Sequence, residues 1–260
     1  MKLPIFQVDA FTDSIFGGNP AAVIPLKSWL PEETMQQIAM ENNLSETAFY
    51  VEEREGFTLR WFTPEVEVDL CGHATLATAH VLFNELGYTG KELKFDTQSG
   101  RLTVQKEVDW YIMNFPTVDM PKAEAPPILF QALGINPTSD VFKTDDYMVV
   151  MENEEQIENL TPDFKLLKEV DARGIIVTAP GDNVDFVSRF FAPQVGIDED
   201  PVTGSAHTKS SPYWAKRLKK NELSALQISK RVGTLQLEYL GDRVVIKGNA
   251  NTYLRGEIDI

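Results

Sequence analysis

The chain holds a single cysteine, Cys71, and three histidines in 260 residues, and its 24 lysines and arginines face 39 aspartates and glutamates, a net charge of −15. One cysteine excludes an internal disulfide and fits a reducing compartment. The shortage of basic residues argues against nucleic acid and anionic membrane surfaces as partners, both of which need a cationic face. It leaves room for a local positive pocket that takes a small anion. No run approaches the roughly 18 apolar residues of a membrane span. The start, with one lysine and Asp9 where an apolar run would continue, does not read as a signal peptide. Metal-binding patterns of the CxxC, HExxH and EF-hand types are missing. Cys71, His73, His80, His207, Asp198 and Asp200 remain as scattered candidate ligands, and His73 and His80 would stand about 10.5 Å apart along a helix, too far to share an ion. No metal is therefore expected. The nucleotide-binding glycine patterns are missing too, so no cofactor is expected. Thr203-Gly-Ser-Ala-His207 is not the nucleophile elbow of a serine hydrolase. What is present, 43% hydrophobic and 10% aromatic residues, suffices for a sizeable core. A soluble, cytoplasmic protein is expected.

The sequence repeats itself. Arg60-Trp-Phe-Thr-Pro-Glu-Val66 returns as Arg189-Phe-Phe-Ala-Pro-Gln-Val195, at an offset of 129 with four of seven positions identical. Cys71-Gly-His-Ala74 aligns with Thr203-Gly-Ser-Ala206 at offset 132, and Gly100-Arg-Leu-Thr-Val104 with Gly233-Thr-Leu-Gln-Leu237 at offset 133. Leu30-Pro-Glu-Glu33 aligns weakly with Leu160-Thr-Pro-Asp163. Matches in the same order with a slowly growing offset imply two homologous halves. The join falls in residues 114–127, where four prolines in fourteen residues oppose both sheet pairing and helix. The expected domains are 1–117 and 118–260.

Each half reads as mixed α/β. Residues 5–11, 48–52, 58–62, 93–96 and 102–105 have the branched and aromatic content of strands, as do 147–151, 174–178, 186–190, 235–239 and 243–247. Residues 32–40 read as a helix. Over 73–86 the apolar residues go all the way round a helical wheel, which predicts a buried helix ending at Gly87. Its counterpart, 205–219, contains Pro212, so either the helix kinks there or a second one begins. The two central helices would open at Gly72 and Gly204. Unpaired N–H groups at a helix start attract anions, so two such ends, brought together by related halves, suit a small carboxylate. The plainer alternative is that both glycines merely make tight turns.

Three titratable residues lie near these points. Asn43-x-x-Glu46 has the spacing of a capping box, but a strand pattern follows, so Glu46 is either edge-exposed or functional. His73 is either a satisfied core histidine or a site residue. Asp200, before Pro201, either starts a turn or belongs to the site.

Taken together, Phe6-Gln-Val-Asp-Ala-Phe11, Gly17-Gly-Asn-Pro-Ala-Ala-Val23, Asn43-Leu-Ser-Glu-Thr-Ala-Phe49, Asp69-Leu-Cys-Gly-His-Ala-Thr75 and Asp200-Pro-Val-Thr-Gly-Ser-Ala-His207 resemble the phenazine-biosynthesis PhzF-like isomerases. The resemblance implies a diaminopimelate epimerase-like fold, in which each half rolls a mixed sheet around a central helix and the active site lies between the halves. It implies a cofactor-independent isomerase acting on a small carboxylate, with Glu46 as general acid/base and His73 and Asp200 as companions. Asn19, Ser45, Gly72, Gly204 and Ser205 would bind substrate, and a homodimer would be the working form. The chemistry is coherent: a carboxyl removed from water becomes a better base at neutral pH, and helix ends favour negative charge that builds in the transition state.

Amino-acid racemases of this fold use two thiols, one from each half. Here Cys71 stands at the first position and Thr203 at the second. A threonine hydroxyl is no base near neutral pH, so a two-thiol racemase is excluded and a carboxyl-led shuttle favoured. Cys71 is then expected to be a small packed residue. At Lys209-Ser-Ser-Pro212 the chain is more polar than the family. The alternative from another class is a non-catalytic protein that binds an amino-acid-like ligand.

Overall fold

The structure, a computed structural model, describes residues 1–138 and 140–260. The chain forms two compact units, Met1–Asn114 with Val245–Ile260, and Phe115–Val244. The first contains β1 (Lys2–Ala10), β2 (Asn19–Leu26), α1 (Glu32–Asn42), β3 (Glu46–Glu53), β4 (Gly56–Phe62), β5 (Glu67–Val68), α2 (Gly72–His80), β6 (Glu92–Thr97), β7 (Gly100–Glu107) and β8 (Trp110–Pro116). The second contains α3 (Pro127–Leu133), β9 (Val141–Lys143), β10 (Asp146–Val150), α4 (Glu154–Glu158), α5 (Phe164–Leu167), β11 (Gly174–Pro180), β12 (Phe186–Ala192), β13 (Ile197–Asp200), α6 (Gly204–Leu218), β14 (Glu222–Gln227) and β15 (Gly233–Tyr239). β16 (Arg243–Gly248) runs across the second boundary, and β17 (Ala250–Asp259) closes the chain.

The duplication is visible in the pairing. In the first unit β2 runs parallel to β3, β3 antiparallel to β4, β4 parallel to β6 and β6 antiparallel to β7. In the second, β10, β11, β12, β14 and β15 repeat that series in the same senses. Each half is a mixed sheet about a central helix, the diaminopimelate epimerase-like arrangement. The repeated arginines also do one job twice. Arg60 clasps Glu67 through Nε and Nη2 at 2.7 and 2.6 Å, and its guanidinium lies 5.2 Å from the Phe62 ring centre. Arg189 clasps Glu199 at 2.7 and 3.0 Å and lies 5.0 Å from the ring of Phe191. Each clasp ties a strand to the short strand before its central helix, in the two-pronged geometry that suits a guanidinium.

Sheet faces are covered by different helices. Ile24, Phe49 and Phe62 pack with Met35 and Ile38 of α1. On β11, alternation sends Ile175 and Val177 to the side of α3, α4 and α5, where they meet Leu129, Leu133, Ile157 and Leu167. Ile176 goes to the opposite side, with Phe190 and Ala206 of α6. The helix expected at 73–86 is α2 followed by a π-helical turn, Val81–Glu85, and the chain leaves it through Gly87 at φ 69°. Residues 73–82 are buried, as the apolar wheel requires, whereas Phe83 is only half-buried and Leu86 is exposed, so the last turn of the expected buried helix reaches the surface.

Pro212 does not begin a second helix, because α6 is continuous from Gly204 to Leu218 with the proline inside it. A proline has no N–H to give the carbonyl four residues back. That carbonyl, of Thr208, instead accepts from the Val118 N–H at 3.3 Å. The polar Lys209-Ser-Ser segment is buried inside this helix, which its own partners explain below.

Two expectations are revised. β8 carries the sheet on to Pro116, so pairing reaches into the proline-rich join. The division at 1–117 and 118–260 also fails at the C-terminus, where β17 pairs with β1 from Lys2↔Asp259 to Ala10↔Ala250 and so returns to the first unit. β2 was not foreseen because it holds two prolines. Pro20 pairs with Asp9 of β1 before the β3 register begins at Ala21, and Pro25 lies past the last β1 pair, so each proline faces one neighbour only. Among the described residues no helix is long and apolar enough to cross a membrane.

Candidate active site

In the first unit the chain brings Asn19, Glu46, Cys71 and His73 together. Gly18 makes the turn that delivers Asn19 to the head of β2. Its φ is +58° and a Cβ would lie 2.0 Å from the Ala10 carbonyl oxygen, so only glycine fits. Asn43 ends α1 in the left-handed conformation at φ 49°, and three residues later Glu46 opens β3. Gly72 opens α2 with Cys71 as the residue before it, and His73 follows.

Oε2 of Glu46 lies 3.0 Å from Nε2 of His73. The approach is close but off the line of a straight hydrogen bond. The Glu46 side chain is 12% exposed and that of His73 6%, so the acid keeps a narrow opening while the imidazole stands behind it. On the far side of the ring, Nδ1 meets Nδ2 of Asn19 at 3.2 Å and Sγ of Cys71 at 3.5 Å. Burial works against a charge on His73, whereas the sulfur of Cys71 and the carboxylate of Glu46 favour one. The balance lies well above the ordinary value for histidine. Burial, then Glu46, push the Cys71 thiol up to about 11, so near neutral pH it is an S–H group. Cys71 is packed, as expected, but packed against the site histidine.

Glu46, Cys71 and His73 also offer donor atoms within 4.8 Å of one another. A single ion takes one imidazole nitrogen, at about 2.0–2.1 Å for zinc. Cys71 faces Nδ1 and Glu46 faces Nε2, so the ring divides the three ligands. An ion would have two of them as they stand.

Asp200 ends β13 in the second unit, and its Oδ2 accepts a hydrogen bond from the hydroxyl of Thr203, while Gln227 Nε2 donates to its carbonyl at 2.7 Å. Gly204 opens α6, and Ser205 Oγ accepts from Nη2 of Arg173 at 3.1 Å. Ser45 is half-buried beside Glu46. The other two histidines have partners of their own. Burial lowers His80 to about 4 among Tyr111, Asn84 and Thr252. It lowers His207 equally, with Nδ1 2.8 Å from the Thr203 carbonyl.

Sequence reasoning placed Asn19 at the substrate. The structure sets it fully buried against Nδ1 of His73. Arg173 and Asp146 were not singled out, and Lys209 was noted only as part of a polar segment. Residue type alone does not separate a clustered charge from a solvated one, although the offset that maps Glu46 to Gly174 at the start of β11 would have pointed to the neighbourhood of Arg173.

A model of the phenazine biosynthesis-like protein family matches residues 8–256. The chain belongs to that family. It is 54% identical over 260 residues to an uncharacterized isomerase of Pseudomonas aeruginosa, covering the whole of both chains. It is 40% identical over 286 residues to the human phenazine biosynthesis-like domain-containing protein, with 99% of each chain covered. The crystal structure of a PhzF-family phenazine biosynthesis protein from Enterococcus faecalis superposes with a TM-score of 0.97 at 49% identity over the full length of both chains. A hydroxyproline epimerase from Agrobacterium vitis shares the fold at TM-score 0.60 and 10% identity, covering 99% of this chain and 92% of its own. Relatives named isomerases support the isomerase class for this chain.

Proposed function

We propose that this protein is a cofactor-independent isomerase that moves a proton, and with it a double bond, in a small carboxylate-bearing metabolite. The observation that carries the reading is the Glu46–His73 pair, 3.0 Å apart at the start of a buried helix. Glu46, the more open of the two, takes the proton from carbon. His73 holds the carboxylate in position and, with its elevated proton affinity, steadies the negative charge while the proton is in transit. A carboxylate and an imidazole in such contact pass a proton between them without bulk water, as general acid–base catalysis requires. Asn19 and Cys71 back the ring at Nδ1 and fix its angle. Asp200 and Ser205 keep the roles that the family resemblance implies, as proton-transfer companion and substrate-binding hydroxyl. The N–H groups that open α2 suit the substrate's own carboxylate.

The test is a metabolite library incubated with the protein in D₂O and read by NMR for exchange at carbon. Exchange in one or more small carboxylates is expected. Glu46→Gln should then slow it by about 10²–10⁴ without altering the fold. Tight binding of a ligand with no exchange would replace the isomerase by a binding protein, and full turnover in Glu46→Gln would remove the assigned base.

A further inference from the structure

The duplication lets the second half be read against the first. Arg60 pairs with Phe49 across β3 and β4, and Arg189 pairs with Val177 across β11 and β12. On that register Glu46 corresponds to Gly174, and the residue before it, Arg173, to Ser45. The helix-opening glycines correspond as well, so His73 maps to Ser205. In the first unit the residue after the glycine touches the residue that opens the strand. In the second unit Gly174 has no side chain to offer, and the residue before it makes a comparable contact instead, Ser205 Oγ against Arg173 Nη2 at 3.1 Å.

Arg173 is held on several sides. Its Nε donates to Oδ1 of Asp146 at 2.9 Å and its Nη2 to Oδ2, while its backbone N–H donates to the Asp145 carbonyl at 2.8 Å. The ring of Phe190 lies 5.5 Å from the guanidinium. That ring occupies the space a side chain at residue 174 would need, since a Cβ on Gly174 would come within 2.2 Å of it. Asp146 is fully buried and is shared with Lys209, whose Nζ lies 2.5 Å from Oδ2 and 2.6 Å from Oδ1 of Asp145. Lys209 is itself 4% exposed and sits one helical turn beyond Ser205 on α6. Two carboxylates and one ammonium therefore lock a guanidinium against one hydroxyl, with the charge of Asp200 close enough to act on it.

A guanidinium is a donor only, so Ser205 Oγ must spend a lone pair on Arg173, and its own O–H proton is left to point elsewhere. We propose that Arg173, clamped by Asp146 and Lys209, is a positioning residue that holds the Ser205 hydroxyl as a hydrogen-bond donor to an anionic group of the ligand. The proposal rests on the reading of Ser205 as a substrate-binding residue, but not on turnover. A substrate with a carboxylate, or with an oxyanion that develops during the reaction, is the class this hydroxyl serves.

The probe is benzoate, with benzamide as its uncharged isostere, titrated into ¹⁵N-labelled full-length protein and followed at the Gly204 and Ser205 amides. Wild type should show a saturable shift with benzoate and none with benzamide. A hydrogen bond to a charged group contributes about 1.5–3 kcal/mol, so Ser205→Ala and Arg173→Met should each weaken benzoate at least about tenfold. The double variant should be no weaker than Ser205→Ala alone, because the arginine acts through the serine. Arg173→Lys keeps the charge without the two-pronged geometry and should lie between wild type and Arg173→Met. It serves as the working comparison if Arg173→Met does not fold. Benzoate binding to Arg173→Met within twofold of wild type, losses that multiply in the double variant, or no saturable shift in wild type would each overturn the proposal. Isomerase chemistry plays no part in this binding, so a silent D₂O screen with the expected benzoate pattern would sink the isomerase and leave Arg173 in place.

Discussion

Lys209→Met strikes the least solvated charge cluster in the second unit. Lys209 and Asp146 are 4% and 0% exposed and their charged atoms are 2.5 Å apart. Removing one partner of such a pair leaves a carboxylate in a poorly solvated place, which typically costs about 3–5 kcal/mol. Arg173 remains on Asp146 through two hydrogen bonds, so the loss falls at or below the bottom of that range, about 2–3 kcal/mol. Asp145 adds little, since its side chain is 56% exposed and water screens it. For a chain of this size about 2–4 °C of melting temperature follows each kcal/mol, so the transition of the second unit should fall by roughly 4–12 °C. Calorimetry at pH 7 reads it directly. The loss should change little between low and high salt, because buried pairs are weakly screened. Lys209→Met combined with Asp146→Asn should recover part of the loss, as the stranded charge is gone. A single variant that melts within about 1 °C of wild type, or a double variant that melts below the single, would refute the reasoning.

Further outcomes follow from other groups. Cys71→Ala should keep most exchange activity, because the thiol only backs His73, and alkylation of Cys71 in the native protein should be far slower than of free cysteine at pH 8, since the thiol titrates at about 11; loss of activity in a folded Cys71→Ala would restore a thiol mechanism. His80 and His207 titrate at about 4 in the fold against 6.5 in the open chain, so the unfolded state takes up protons first as pH falls. Stability should be full above pH 6.5 and decline steadily towards pH 4, and His207→Gln should flatten part of that slope in melts across the window; an unchanged slope would count against the buried neutral histidine. Asp145, held at about 2 against 3.8 despite burial, chiefly by Lys209, should add a smaller loss below pH 4 that is absent from Lys209→Met. Arg60→Met and Arg189→Met should destabilise their own units by similar amounts, about 1–3 kcal/mol each, if the two clasps are equivalent; a loss confined to one would show that the repeat has diverged in use.

Much of the architecture was legible in the sequence because it was written twice. The Arg60 and Arg189 heptads gave the offset, and the matching strand series gave the topology, since the same hydrophobic spacing forces the same sheet. The all-round apolar character of residues 73–86 announced a buried helix, and Glu46 was conspicuous as an acid where an apolar strand begins. What the tertiary structure alone decided depends on groups distant in the chain. The return of β17 to β1 joins the two ends of the molecule, which no local pattern records. The continuity of α6 through Pro212 depends on Val118, which supplies an N–H ninety residues earlier in the chain. Lys209 looked like a polar intrusion into an apolar helix until Asp145 and Asp146 arrived from β10 to neutralise it. The contact of Asn19 with His73, made from the turn at Gly18, was likewise not legible in the sequence. Periodicity reports which face of an element is apolar, whereas a buried charge is tolerable only when its partners are in place, and those partners are chosen by the fold.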